Sequence, residues 1–174
     1  MKNDRKIIGI RYVLLFVVGL VATVASAVLE NVSPVLSGEM LHVLCDMGHG
    51  EEVVVSDANF PAHSVCGKVI RADGVSAAAL LKGLAPFFTL DQYSTPVTMM
   101  RPVDGDSLDP RVEERYRMAL GYTNVVERLG RYEFYERAKK ARAVIVSGEM
   151  AKYGNVILKK GVVPLRQADK QERE

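Results

Sequence analysis

Apolar residues Met40, Leu41, Leu44 and Met47 recur at helical spacing behind Ser37, which predicts a helix capped by that serine and stopped at Gly48. The run that follows, Val53–Ser56, is short and apolar, as suits a strand covered on both faces. Lys68–Ala72 is a weaker strand candidate closed by Asp73-Gly74, and Ser76 caps an alanine- and leucine-rich helix that ends before Pro86. Pro96–Met100 reads as a further strand. Asp109-Pro110 then opens a helix that runs to about Gly121, with an N-cap carboxylate and proline at the first helical position. Asn124–Leu129 is another strand candidate, and Tyr132–Ala141 is a helix on which Glu133 with Arg137, and Glu136 with Lys140, form i,i+4 pairs. Two β-rich runs, Ala143–Ser147 and Asn155–Lys160, close the pattern.

Helices alternating with short strands predict an α/β fold, a three-layer α/β/α single domain. The segment Gly148–Gly154 is too short for a helical crossover, so the central sheet is expected to be mixed. The domain is placed at residues 28–165, with a polar tail at 166–174.

Composition adds an N-terminal object to this picture. Of the 174 residues, 48% are hydrophobic and 25% charged, a globular balance with a formal net charge of +2. Residues 1–27 hold Lys2, Arg5, Lys6 and Arg11 against Asp4 alone, so the body is nearly neutral and carries no electrostatic footprint for nucleic acid. A basic head, an apolar middle and the small residues Ala25 and Ala27 have the form of a secretory signal peptide. The uncharged run Tyr12–Leu29 is also at the short edge of what spans a bilayer. Three readings stay open: a cleaved signal with an exported body, an uncleaved membrane anchor, or translation from Val28 with a cytoplasmic product.

The candidate chemistry gathers in a few places. His49 lies between Gly48 and Gly50, ahead of the apolar strand, where glycine backbone can aim an imidazole; its bland alternative is a hydrogen-bonded loop histidine. Asp57 follows the same strand, at the carboxyl end where α/β sheets bind ligands, or else caps a turn. Strand geometry separates the two unless the loop curls back or a neighbouring subunit supplies its copy. Arg131 and Tyr135 share a helix face, as an exposed arginine over a half-buried tyrosine or as a binding pair. Lys152–Asn155 is a turn or a site segment. His42-x2-Cys45 and His63-x2-Cys66 imitate half-sites for zinc, but Cys45 falls on the apolar side of its helix and no metal is assigned. Two cysteines do not make a disulfide framework, and their pairing is left open. Phosphate-loop, dinucleotide and nucleophile-elbow motifs are lacking, which removes support for phosphoryl transfer and dinucleotide redox.

The blocks "SPVLSGEMLHVLCDMGHGEEVVVSDANFPAHS", "VIRADG", "LDPRVEERYR", "FYERAKKA" and "SGEMAKYGNVILKKGV" resemble the L-fucose mutarotases, within the group that includes D-ribose pyranase. The likeness runs from about Leu29 to Val163, and "FPAHS" and "FYERA" favour the fucose branch over the pyranase branch. It implies an isomerase that interconverts the α and β anomers of L-fucose without metal or cofactor. It further implies His49 as proton donor, Asp91 and Tyr135 as catalytic partners, and Asp57, Arg131, Tyr153, Gly154 and Asn155 as substrate-binding residues. Glu51 departs from the aspartate usual in the family, and residues 1–27 have no counterpart there. The family forms ring-shaped decamers with sites near subunit boundaries, into which ten uncleaved anchors fit badly. Action on another sugar such as ribose, or sugar binding without catalysis, are the competing readings.

Overall fold

The computed structural model describes residues 29–164. The readings of residues 1–27 and of the tail from Arg166 lie outside the described residues. Along the chain come α1 (Gly38–Asp46), β1 (Glu52–Ser56), α2 (Ala62–Val65), β2 (Val69–Ala72) and α3 (Ala77–Leu84), followed by a 3-10 turn (Ala85–Phe87). Then come β3 (Val97–Met100), α4 (Pro110–Leu120), β4 (Glu127–Leu129), α5 (Arg131–Ala138), β5 (Ala143–Ser147) and β6 (Val156–Lys159). The strands form one sheet in the order β2-β5-β1-β6-β3-β4.

The sheet is mixed, as the short β5–β6 connection requires. β1 runs parallel to β5 and antiparallel to β6, so the connection reverses direction but steps over β1 rather than pairing its own two strands. Side chains alternate across the sheet. Val53, Val55, Ile145 and Leu158 meet Met40 and Leu44 of α1, Leu80 and Leu81 of α3, and Val112 and Tyr116 of α4. Val54, Val144, Val146 and Ile157 meet Phe60, Ala62, Phe134 and Ala138 on the other side. These are the three expected layers. Each valine or leucine removed from water here contributes roughly 1.5–3 kcal/mol.

The caps follow the sequence. Ser37 accepts from the Met40 amide, Ser76 from the Ala79 amide and Asp109 from the Arg111 amide, and Gly121 closes α4 in the left-handed region at φ 62°. Several expectations need correction. α1 ends at Asp46, two residues before Gly48, with Met47 extended, because Lys160 Nζ donates to the carbonyls of Leu44 (2.8 Å) and Met47 (2.6 Å). A cation from a distant strand replaces the glycine stop. α5 begins at Arg131, and neither predicted i,i+4 pair forms. Arg137 donates instead to Glu52 and Glu127, Glu133 accepts from the Gly130 amide, and Lys139 binds Glu136. Cys45 is exposed rather than on the apolar face, Cys66 is buried, and both thiols are free. The two His-Cys pairs lie on α1 and α2, which pack on opposite faces of the sheet, so they cannot converge. The short α2 inside "ANFPAHS" was not legible from periodicity, being a single turn.

β6 is continued by Lys160 and Gly161, and this extension carries the segment that ends in Asp91. Leu90 bridges to Lys160, the Asp91 amide donates to the Lys159 carbonyl (3.0 Å), and the Gly161 amide donates to the Thr89 carbonyl (2.7 Å). A Cβ on Gly161 would stand 2.6 Å from the Leu90 carbonyl oxygen and 2.9 Å from the Asp91 Cα, both backbone atoms. Gly161→Ala is therefore expected to destabilise the fold by about 1–3 kcal/mol, read as a lower urea midpoint at unchanged m-value. A midpoint equal to the parent's would contradict the close approach.

Candidate active site

The eight residues singled out from the sequence fall into two groups, one at each end of β1. At its amino end, Gly50 turns the chain with φ 84°, and its amide donates to the Lys160 carbonyl (2.8 Å). Gly48 needs no such freedom; its amide donates to Glu51 Oε2 at 2.7 Å. The loop presents His49 half-exposed, with Nε2 3.2 Å from Asp91 Oδ1 and the ring edge-on to Tyr93 at 5.6 Å.

Asp91 is buried and well served by donors. Ser94 Oγ donates to it at 2.6 Å and the Tyr93 amide at 3.3 Å, while Lys159 Nζ stands 4.0 Å away. The Ser94 hydroxyl above all, then the Tyr93 amide and the His49 ring, hold its carboxyl down to about 2. Asp91 is thus an anion at any working pH, placed behind the imidazole. It can fix the ring's orientation and stabilise its cationic form. A cleft of about 1040 Å³ lined by Asp91, Tyr93 and Ser94 opens beside this pair.

At the carboxyl end of β1, Asp57, Arg131, Tyr135, Tyr153 and Asn155 line a single cavity of about 300 Å³, together with Asn59, Phe60, Met100, Asp106 and Lys152. That is the small end of the usual range for ligand pockets, roughly 300–1,000 Å³. Asp57 and Asn155 lock together: the Asp57 amide donates to Asn155 Oδ1 (3.0 Å) and Asn155 Nδ2 donates to Asp57 Oδ2 (2.7 Å). The Asn59 amide donates to Asp57 Oδ1 at 2.9 Å, so this aspartate caps its turn and faces the cavity at once. Burial pushes the Asp57 carboxyl up, against the opposing hydrogen bonds from Asn59, Asn155 and Phe60.

Gly154 is buried behind this wall, its carbonyl accepting from Tyr116 Oη at 2.9 Å. Tyr153 precedes it at φ 60°, unusual for a residue with a side chain, and its hydroxyl donates to Asp106 Oδ2 at 3.0 Å. Arg131 donates to Tyr132 Oη at 2.9 Å and lies over the same ring. Tyr135 stands edge-on to Phe60 at 5.4 Å. Burial raises the Tyr135 phenol, which therefore stays protonated at neutral pH. Phe60, Met100 and the tyrosines give apolar walls, and the charged and amide groups give orienting contacts, as a small polyol with one apolar face requires.

Arg131 and Tyr135 thus share a face and a cavity, as their spacing predicts. The loop of His49 does not curl back to Asp57, because β1 holds the two apart. Asp91 and Tyr135, both assigned to catalysis by the resemblance, stand at different ends of the strand. The sequence reading missed Asp106 and Asn59, whose "DGD" and "ANFP" contexts look like ordinary turns, and held Lys152 only as the first residue of a turn or site segment. Among the described residues, no group of three or more His, Cys, Asp or Glu could hold a metal ion.

A family model described as the RbsD / FucU transport protein family matches residues 30–163. The chain is 54% identical over 143 residues to an L-fucose mutarotase of Actinobacillus pleuropneumoniae serotype 5b (strain L20), a match covering 79% of this chain and 99% of that relative. It resembles the crystal structure of the fucose mutarotase from Streptococcus pneumoniae in complex with L-fucose, with TM-score 0.73 and 40% identity over 78% of this chain and all of the other. FucU from Bifidobacterium longum matches with TM-score 0.74 and 38% identity over 78% of this chain and 100% of its own. RbsD of Bacillus subtilis, complexed with D-ribose, shares the fold at TM-score 0.62 and 22% identity over 74% of this chain and 95% of its own.

The two aspartates are expected to titrate on opposite sides of the ordinary value of 3.8. Asp91 is depressed when folded, so its stabilising effect is complete above 3.8 and is lost as pH falls toward about 2. Urea midpoints should therefore place the parent above Asp91→Asn at pH 5, with the gap closing toward pH 2. For Asp57 the sign is reversed: folding weakens as pH rises from 3.8 through its higher folded value. Carboxyl carbon NMR should find the Asp57 midpoint above 3.8, and a midpoint below it would contradict the burial effect.

Proposed function

The chain belongs to the RbsD/FucU family, and on that premise we propose that it is an L-fucose mutarotase, interconverting the α and β anomers of the free sugar. The 54% identity to a curated L-fucose mutarotase along nearly its whole length carries this reading, and the cavity at Asp57 is of a size and character suited to one monosaccharide.

Mutarotation removes a proton from the anomeric hydroxyl and delivers one to the ring oxygen. The ring opens to the aldehyde, the C1–C2 bond rotates, and closure follows on the other face. An imidazole titrates near 6.5 in its ordinary setting and can carry a proton both ways near neutral pH. His49 is assigned the delivery of a proton to the ring oxygen, and its recovery on closure. Asp91 orients the ring and compensates its charge rather than touching the sugar, a revision that its hydrogen bond to Nε2 supports. The Asp57 carboxylate takes the proton of the anomeric hydroxyl and returns it on closure, while the protonated Tyr135 phenol in the same cavity donates a hydrogen bond to that oxygen. Asp57, Asn155 and Arg131 orient ring hydroxyls, Tyr153 covers the apolar face, and Gly154 lets the turn pass beneath it. The reaction as written needs no metal or cofactor.

With His49 and the cavity at opposite ends of β1, this chemistry requires two copies. We assign the working enzyme to a homo-oligomer, a ring of ten by resemblance, in which the histidine of one copy reaches the cavity of another. The family match begins at residue 30, which supports treating residues 1–27 as separable from the enzyme, whether as a cleaved export signal or as sequence upstream of a start at Val28. N-terminal sequencing of the native protein decides between them. No helix of the described residues is long and apolar enough to cross a membrane.

Saturation-transfer NMR on equilibrated L-fucose should show anomer exchange that falls by about 10²–10⁴ in His49→Ala. Binding without exchange in the parent would leave a sugar-binding protein, and faster exchange of ribose than fucose would move the substrate. His49→Ala and Arg131→Ala, each inactive alone, should regain activity when refolded together, with about a quarter of sites intact by random assortment. Failure to complement would place both halves of the site within one copy.

A further inference from the structure

Of the two carboxylates that line this cavity, Asp106 is the one without an assigned part. It lies on the irregular segment 101–109, directly after Gly105, whose φ is 83°. Its side chain is about one-third exposed at 31%, and both oxygens are engaged. Oδ1 accepts from the Ser107 amide at 2.8 Å, while Oδ2 accepts from Tyr153 Oη at 3.0 Å and from Lys152 Nζ at 3.2 Å. The two partners are consecutive residues of the turn that leads into Asn155, so one carboxylate ties segment 101–109 to that turn at the cavity.

Tyr153 has reason to need an anchor. Its backbone is left-handed, a conformation a tyrosine holds only when its surroundings impose it. The turn is tied on its inner side, where Tyr116 binds the Gly154 carbonyl and Asn155 binds Asp57. Those contacts fix the backbone but leave the direction of the phenol ring undetermined. The bond to Asp106 sets it. The Ser107 amide, with Lys152 and Tyr153, also holds the Asp106 carboxyl below the ordinary carboxylate range, so the acceptor is ionised wherever the enzyme works.

We propose that Asp106 is a positioning residue for substrate binding, a latch from segment 101–109 that sets Tyr153 and Lys152 over the sugar in the Asp57 cavity. This rests on the reading of the cavity as the monosaccharide site. Asp106 has both oxygens engaged by Ser107, Tyr153 and Lys152 and is assigned no proton transfer, so its effect falls on affinity and not on the rate of ring opening.

Exchange NMR at a series of L-fucose concentrations separates the two parameters. Asp106→Ala and Tyr153→Phe should each raise KM about tenfold, with kcat within about twofold of the parent. The double variant should be no worse than the more damaged single, because both remove one shared contact. Asp106→Asn, which keeps an acceptor for the phenol but loses the charge facing Lys152, should fall between parent and alanine. If Asp106→Ala does not fold, judged by circular dichroism and melting, the asparagine and phenylalanine variants carry the test alone. An unchanged KM, a loss confined to kcat, or additive losses in the double variant would overturn the proposal. A parent with no anomer exchange would instead sink the mutarotase reading itself.

Discussion

Strand β1 has water on neither face. Val53, Val54 and Val55 are fully buried, and the strand is flanked by parallel β5 and antiparallel β6. A strand in that position cannot bend its ends toward one another without breaking two ladders and uncovering three valines. The Gly-His-Gly loop and the Asp57 turn are the two ends of this element, and their separation follows from its burial. The division of the candidate site is therefore a property of the core. It is also what makes a second copy a chemical requirement of the proposed reaction.

The two ends differ in electrostatic character. Asp57 sits where desolvation dominates, so its neutral form is favoured relative to an aspartate in water. Asp91 is also little exposed but lies less deep, and it receives a hydroxyl, an amide and an imidazole, which outweigh burial. Carboxylates whose environments drive them apart in this way tend to take different acid–base roles. Here the ionised one stands behind a histidine and the up-shifted one faces the small cavity. Their placement agrees with an end that protonates the ring oxygen and an end that holds the sugar and takes its anomeric proton.

Local signals made most of the architecture legible. Ser37, Ser76 and Asp109 each form the cap that sequence predicts, and short apolar or β-rich runs bounded by turn residues placed all six strands. Much of what escaped the sequence depended on partners far along the chain. The stop of α1 is set by Lys160, more than a hundred positions away, and Arg137 chooses Glu52 and Glu127 over its helix neighbour Glu133. The same holds in the site. Arg131 with Tyr135 could be paired from helical spacing, and Asp57 from its place after a strand. Asp106 could not, because a carboxylate in a D-G-D turn acquires meaning only from the tyrosine that folds against it.

Lys160 and Asn155 bracket β6, and each grips one half of the site. Asn155 clasps Asp57, while Lys160 ties down the end of α1 and receives the Gly50 amide. At about 3.4 Å per residue, this single extended segment fixes an interval of roughly 17 Å between the two grips. The strand works as a gauge block. One residue inserted or removed within it would alter the spacing and also turn one grip to the opposite side of the sheet. Any arrangement of copies that docked a neighbour's imidazole into the cavity would be cut to that length, which four internal residues of a single strand determine.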